Sequence, residues 1–237
     1  MESARGTGPL ADRTAVVTGG SRGIGAATVR ALCFAGARVM GIARSAGVVV
    51  PGAIAVRCDL MELGGVAWAI EAANHEFGGP PDILVNNAGV FAIGRVDETT
   101  VATFAAMLTL NLSVPFALVR AFLPGMRARG RGHIVTVGSI ADHVALPGNG
   151  AYAATKFGAR GLHEVLRSEL AGTGVRATLV SPAAVDTTLW DAVDPGTRGM
   201  FPAREAMLGP DDVADAIVYA VTRPERVGID EIRLARS

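Results

Sequence analysis

The chain has 237 residues, half of them hydrophobic, with 22 basic and 22 acidic side chains and a formal net charge of zero. Balanced charge leaves no electrostatic footprint for nucleic acid or an anionic membrane, so the expected partner is a small molecule. Two cysteines, Cys33 and Cys58, are too few for a disulfide framework and lack metal-ligand spacing, so no metal is expected and a reducing, cytoplasmic setting fits.

Residues 1–11 are polar and glycine-bearing, without an apolar signal segment, and no run is expected to reach the roughly 18 apolar residues of a membrane span. Short apolar runs predict strands near 13–18, 37–42, 53–57, 82–86, 133–138, 175–180 and 228–234. Helical periodicity fills most gaps between them, beginning with 24–35. This alternation predicts an α/β fold, one Rossmann-like doubly wound parallel seven-stranded sheet with helices on both faces, in a single domain over 1–237. The 45–52 connection is too short and too β-branched for a full helix, so the flank should be thin there, with Val48, Val49 and Val50 either an exposed edge or a small packing cluster.

Two motifs carry chemistry. After the first strand, Gly19-Gly20-Ser21-Arg22-Gly23-Ile24-Gly25 leads into a helix. Glycines permit a tight turn and a close backbone approach to a pyrophosphate, which the N–H groups and positive end of the helix would meet. Further on, Ser139 ends an apolar strand and is followed thirteen residues later by Tyr152, with Lys156 one helical turn beyond. A free phenol titrates near about 10, and lowering it three units takes about 4 kcal/mol. A lysine beside it in a partly desolvated site is expected to lower it and make Tyr152 a general acid/base, with Ser139 holding the reacting oxygen.

Taken in order, these features resemble the short-chain dehydrogenase/reductase family over almost the whole chain. Thr18-Gly19-x-x-x-Gly23-Ile24-Gly25 is similar to the family's cofactor loop, Asn86-Asn87-Ala88-Gly89 to its second signature, and Asn111, Ser139, Tyr152 and Lys156 to its tetrad. The resemblance implies an oxidoreductase that interconverts a carbonyl and a secondary alcohol, with those four as catalytic residues. It implies cofactor contacts from Gly19, Ser21, Arg22, Gly23, Ile24, Gly25, Arg44, Asp59, Leu60, Asn86, Ala88, Gly89, Tyr152, Lys156, Pro182 and Thr187. Asp59 would meet the adenine, Lys156 the nicotinamide ribose, and either Thr187 or Thr188 the carboxamide. Asn111 would support a water path for proton resupply.

Where NAD-dependent relatives carry an acid, this chain has Ala43 followed by Arg44, and Arg22 lies in the glycine loop, so NADP(H) is the expected cofactor. Substrate contacts are expected from Ser139, Tyr152, His143 and Trp190, with a lid over 188–208 that includes Met200 and Phe201. A mainly apolar carbonyl compound is the expected substrate. The other readings are a 3-oxoacyl thioester reductase of lipid synthesis and a non-catalytic dinucleotide-binding regulator. A homodimer or homotetramer is expected, paired through the helices of Asn111 and Tyr152, the latter presenting Phe157, Leu162 and Leu166. Two departures from the family pattern stand out: Ala183 replaces a glycine after Pro182, and the C-terminus lacks the Asp-Gly-Gly ending of many reductases.

Overall fold

Seven short segments dominated by Val, Ile and Ala become strands in the computed structural model, which describes residues 7–191 and 201–237. They are β1 (Thr14–Thr18), β2 (Arg38–Ala43), β3 (Ala53–Arg57), β4 (Ile83–Asn86), β5 (Gly132–Val137), β6 (Val175–Pro182) and β7 (Glu231–Leu234). All neighbours pair in parallel, in the order β3-β2-β1-β4-β5-β6-β7, which is the expected seven-stranded sheet. The helices are α1 (Gly23–Phe34), α2 (Gly65–Phe77), α3 (Val101–Leu108), α4 (Val114–Ala128), α5 (Gly150–Glu169) and α6 (Pro210–Val221).

Strand side chains alternate between two cores, as the two-residue period of a pleated strand requires. Ala15, Val17, Val39, Val85 and Val135 pack with Leu32 of α1 and Ile217 of α6. Val16, Met40, Leu84 and Ile134 pack on the other side with Ala69 of α2, Phe122 of α4 and Leu166 of α5. Burial on both faces explains why the strands read as nearly continuous apolar runs. The 44–52 connection holds no helix; Val48 and Val50 pack against the α1 side while Val49 is exposed.

The α3–α4 stretch corrects one expectation. A π-helical turn at Thr109–Ser113 joins the two helices into one run from Val101 to Ala128, whose mean hydropathy reaches 1.7, long and apolar enough to cross a membrane by length and composition. Its apolar content has two sources in this fold. Leu118, Phe122 and Met126 fill the sheet-facing core, whereas Val101 and Phe116 lie exposed.

β1 lies between β2 and β4, where the order of strands reverses. Chains leaving β1 and β4 at their C-terminal ends therefore diverge to opposite faces and open a crevice, the place where such sheets take ligands.

Candidate active site

The loop after β1 is built around backbone that leaves no room for side chains. Gly19 and Gly23 have φ of +69° and +53°, and a Cβ on Gly25 would lie 2.1 Å from the Gly19 carbonyl oxygen. Asn87 secures the loop: its Nδ2 donates to the Thr18 carbonyl at 2.8 Å, while the Thr18 hydroxyl accepts the N–H groups of Asn87 and Ala88 at 3.0 and 2.9 Å. Arg22 precedes α1 in extended conformation and its side chain makes no cap bond to the helix. Its first-turn N–H groups and positive dipole end are left for an anion.

A cavity of about 900 Å³ runs from this loop across the ends of β4, β5 and β6. Gly19, Ser21, Arg22, Gly23, Ile24 and Gly25 line one end, with Arg44, Asp59 and Leu60 beside them; Ala88, Gly89, Pro182, Thr187 and Thr188 line its middle. At the β2 corner the Ser45 hydroxyl donates to Ser21 at 2.9 Å, tying the glycine loop to the segment that carries Arg44. Arg22 and Arg44 are both exposed on this corner, and Ala43 brings no carboxylate to it.

Ser139, Tyr152 and Lys156 line the same cavity. Ser139 leaves β5 extended and its Oγ accepts the N–H of Ala141 at 3.2 Å, so the hydroxyl caps a short turn as well as facing the crevice. Tyr152 sits in the first turn of α5, where the edge of Phe91 packs against its ring at 4.8 Å between centroids. Lys156 is buried, donates to the Val137 carbonyl at 2.9 Å and lies 5.6 Å from the centre of the Tyr152 ring.

Burial reverses the expected effect on the phenol. Desolvation pushes Tyr152 up to about 12, with Ser139 pulling it down and the Asp142 charge adding to the rise. Burial likewise holds Lys156 down to about 8, against an upward pull from Asp142. Removing both groups from water disfavours each charged form, and burial is the largest influence on both.

Other expected residues stand elsewhere. Asn111 lies one layer behind the cavity: its Oδ1 accepts the Val90 N–H at 2.9 Å, and its Nδ2 donates to the Val90 carbonyl at 3.0 Å and to Thr155 Oγ1 at 3.1 Å. It thus joins the loop after β4 to α5. Asn86 is buried beneath Asn87, neither end of its amide has a partner among the described residues, and Asn87 takes the expected place on the cavity wall. His143 is turned away from the cavity, its ring between Asp142 and Glu231 with Arg160 against it. Both ring nitrogens are taken by these groups, and His143 does not line the cavity, so the expected substrate contact is corrected. Trp190 lines the cavity, but its indole N–H is already given to the Val185 carbonyl at 3.0 Å. Part of the expected lid, 192–200 with Met200, lies outside the described residues; Phe201 packs on Trp190 with centroids 5.1 Å apart.

Three polar residues at this site were not singled out from the sequence: Ser45, Asn149 and Asp142. Ser45 follows Arg44 directly, which was a usable signal. Asn149 and Asp142 are ordinary loop residues by type, and only burial distinguishes them.

A family model described as short chain dehydrogenase matches residues 13–197. The chain belongs to the short-chain dehydrogenase/reductase family and is an oxidoreductase. A glycine betaine reductase of Emericella nidulans is 36% identical over 238 residues, covering 95% of this chain but only 19% of that protein, so the chain spans about a fifth of that relative. An uncharacterized oxidoreductase of Staphylococcus saprophyticus is 32% identical, covering 94% of this chain and 97% of that one. Among solved structures, a metagenomic short-chain oxidoreductase in complex with NADP matches with a TM-score of 0.80 and 32% identity, covering 97% and 99% of the two chains. A serine dehydrogenase complexed with NADP+ matches with a TM-score of 0.82 and 27% identity, covering 93% and 94%.

Proposed function

We propose that this short-chain dehydrogenase/reductase interconverts a carbonyl and a secondary alcohol with NADP(H). The observation that carries the reading is one cavity lined by Ser139, Tyr152 and Lys156 and by a glycine cradle whose β2 corner offers two arginines and no carboxylate at Ala43. The cradle fits a dinucleotide, since Gly25 lets the start of α1 pack directly on the Gly19 carbonyl and the Arg22 side chain makes no cap bond to the helix N–H groups that face the cavity. Arg22 and Arg44 would hold a 2'-phosphate through charge-assisted bonds, and the NADP-bound relatives support that assignment.

When bound, the nicotinamide supplies or accepts the hydride. In the reducing direction Tyr152 gives its proton to the carbonyl oxygen, and Ser139 orients that oxygen and stabilises its developing charge. A phenol pushed up to about 12 stays protonated at neutral pH, which suits proton donation. Lys156, cationic below about 8, offsets negative charge on the phenol oxygen as the proton leaves. Phe91, Ile140, Leu146, Leu189 and Trp190 make the walls beyond this group largely apolar, which supports a hydrophobic carbonyl substrate.

Oxidation of NADPH with apolar ketones and aldehydes, followed by near-ultraviolet absorbance, tests the proposal. Turnover of free carbonyl compounds is expected. Activity confined to a 3-oxoacyl carrier thioester would move the assignment to lipid synthesis. Tight NADPH binding with no turnover across the panel would make the chain a dinucleotide-binding regulator.

A further inference from the structure

A carboxylate lies buried behind Ser139. Asp142 is 0% exposed, and its Oδ2 accepts the Ser139 N–H at 3.0 Å and the Ser181 hydroxyl at 2.7 Å. Its Oδ1 meets His143 Nδ1, and the Nε2 of that ring lies 2.8 Å from Glu231 Oε1 on β7. Arg160 of α5 bonds the same ring and pairs with Glu164 at 3.0 Å, and Arg233 pairs with Glu231 at 2.6 Å. Room for the carboxylate comes from Gly138, where a Cβ would fall 2.2 Å from Asp142 Oδ2 and 2.7 Å from Ser181 Oγ.

A buried charge is costly unless fully hydrogen-bonded, and capping a three-residue turn does not need one. Its placement gives it a second use. The Asp142 charge acts on both Tyr152 and Lys156 of α5, raising the pKa of each. We propose that Asp142 is a positioning residue: its carboxylate fixes the Ser139 turn and sets an acidic group on the side of Tyr152 and Lys156. The inference rests on the assignment of Ser139, Tyr152 and Lys156 as the reacting set. On the phenol alone the Asp142 charge opposes donation; its use lies in keeping Lys156 cationic, so that the ammonium offsets the charge left on the phenol oxygen as the proton leaves. Through Asp142 the backbone of the Ser139 turn is tied to Ser181 of β6.

Lys156 is the only lysine in the chain, which allows a test independent of turnover. In protein grown with carbon-13 lysine, one side-chain resonance reports the Lys156 titration, expected near pH 8. Asp142→Asn keeps the shape and an acceptor for the Ser139 N–H but removes the charge. It should lower that midpoint by about one pH unit and reduce kcat at least about tenfold with NADPH affinity unchanged. An unmoved midpoint in the folded variant overturns the proposal, whether or not a substrate has been found. Silence of the wild type on every carbonyl, with the midpoint moved, would instead overturn the proposed reaction and leave the electrostatic role standing. Should Asp142→Asn fail to fold, Ser181→Ala removes one donor from the same carboxylate; kcat is expected to fall several-fold, about fivefold, and an unchanged kcat overturns the proposal.

Discussion

Lys156 gives its ammonium to the Val137 carbonyl at 2.9 Å while standing 5.6 Å from the centre of the Tyr152 ring, so the cation is anchored to β5 beside the phenol. With lysine held down to about 8 and tyrosine up to about 12, a cation and a neutral acid coexist at neutral pH. Tyr152→Phe should therefore lower turnover at least about a hundredfold while leaving NADPH affinity nearly intact, because only the proton donor is lost. Lys156→Ala should weaken both. In the wild type, kcat/KM for carbonyl reduction should fall as pH rises through about 8, where Lys156 discharges. Near wild-type turnover in Tyr152→Phe, with chemistry rate-limiting, would remove Tyr152 from the role of acid.

The proposed NADP(H) preference rests on the corner where Ser45 bonds Ser21, beside Arg22 and Arg44. Placing a carboxylate there with Ala43→Asp, combined with Arg44→Gln, should swing preference toward NAD(H). Losing charge-assisted contacts of about 1.5–3 kcal/mol weakens NADP(H) by roughly ten- to a hundredfold. Catalytic efficiency with both cofactors decides it, and an unmodified enzyme that prefers NADH would contradict the assignment.

His133, at the start of β5, is 2% exposed; its Nε2 meets Thr178 Oγ1 at 2.8 Å. Burial, with Arg176 adding to it, pushes its pKa down from 6.5 to about 3. The unfolded chain thus binds a proton that the folded chain resists over that interval, and stability falls as pH drops from 6.5 toward 3. His133→Gln should flatten this part of the acid limb in urea unfolding measured across pH. An acid limb as steep in the variant as in the wild type would place the sensitivity elsewhere.

Self-association through α4 and α5 is our proposal for assembly. Leu166, expected on the contact face, is buried in the core instead, whereas Phe157, Gly161 and Val165 form an exposed stripe four residues apart and Phe116 of α4 is exposed as well. The small glycine between two apolar side chains would let a second helix approach closely. Light scattering at micromolar concentration should give the mass of at least two chains, and Phe157→Glu should shift the population toward one. A wild-type mass of one chain would end this proposal.

What the sequence determined by itself was local. Apolar runs of strand length alternating with helical periodicity led to the seven-stranded sheet, and the Gly19–Gly25 loop and the Tyr152–Lys156 turn followed from spacing along the chain. Such features survive without tertiary knowledge because backbone sterics and helical pitch act over a few residues. What the tertiary structure decided came from contacts between distant segments. Asn87 rather than Asn86 reached the cavity because β4 is buried on both faces up to Asn86. His143 misses the cavity because its ring is taken by Asp142 and by Glu231, 88 residues further along the chain on β7. Tyr152 titrates above a free phenol rather than below it because packing strips its water, and Asp142 matters because Gly138 and Ser181 enclose it. Burial is a property of the assembled fold, and neither residue type nor local spacing encodes how much water a side chain loses.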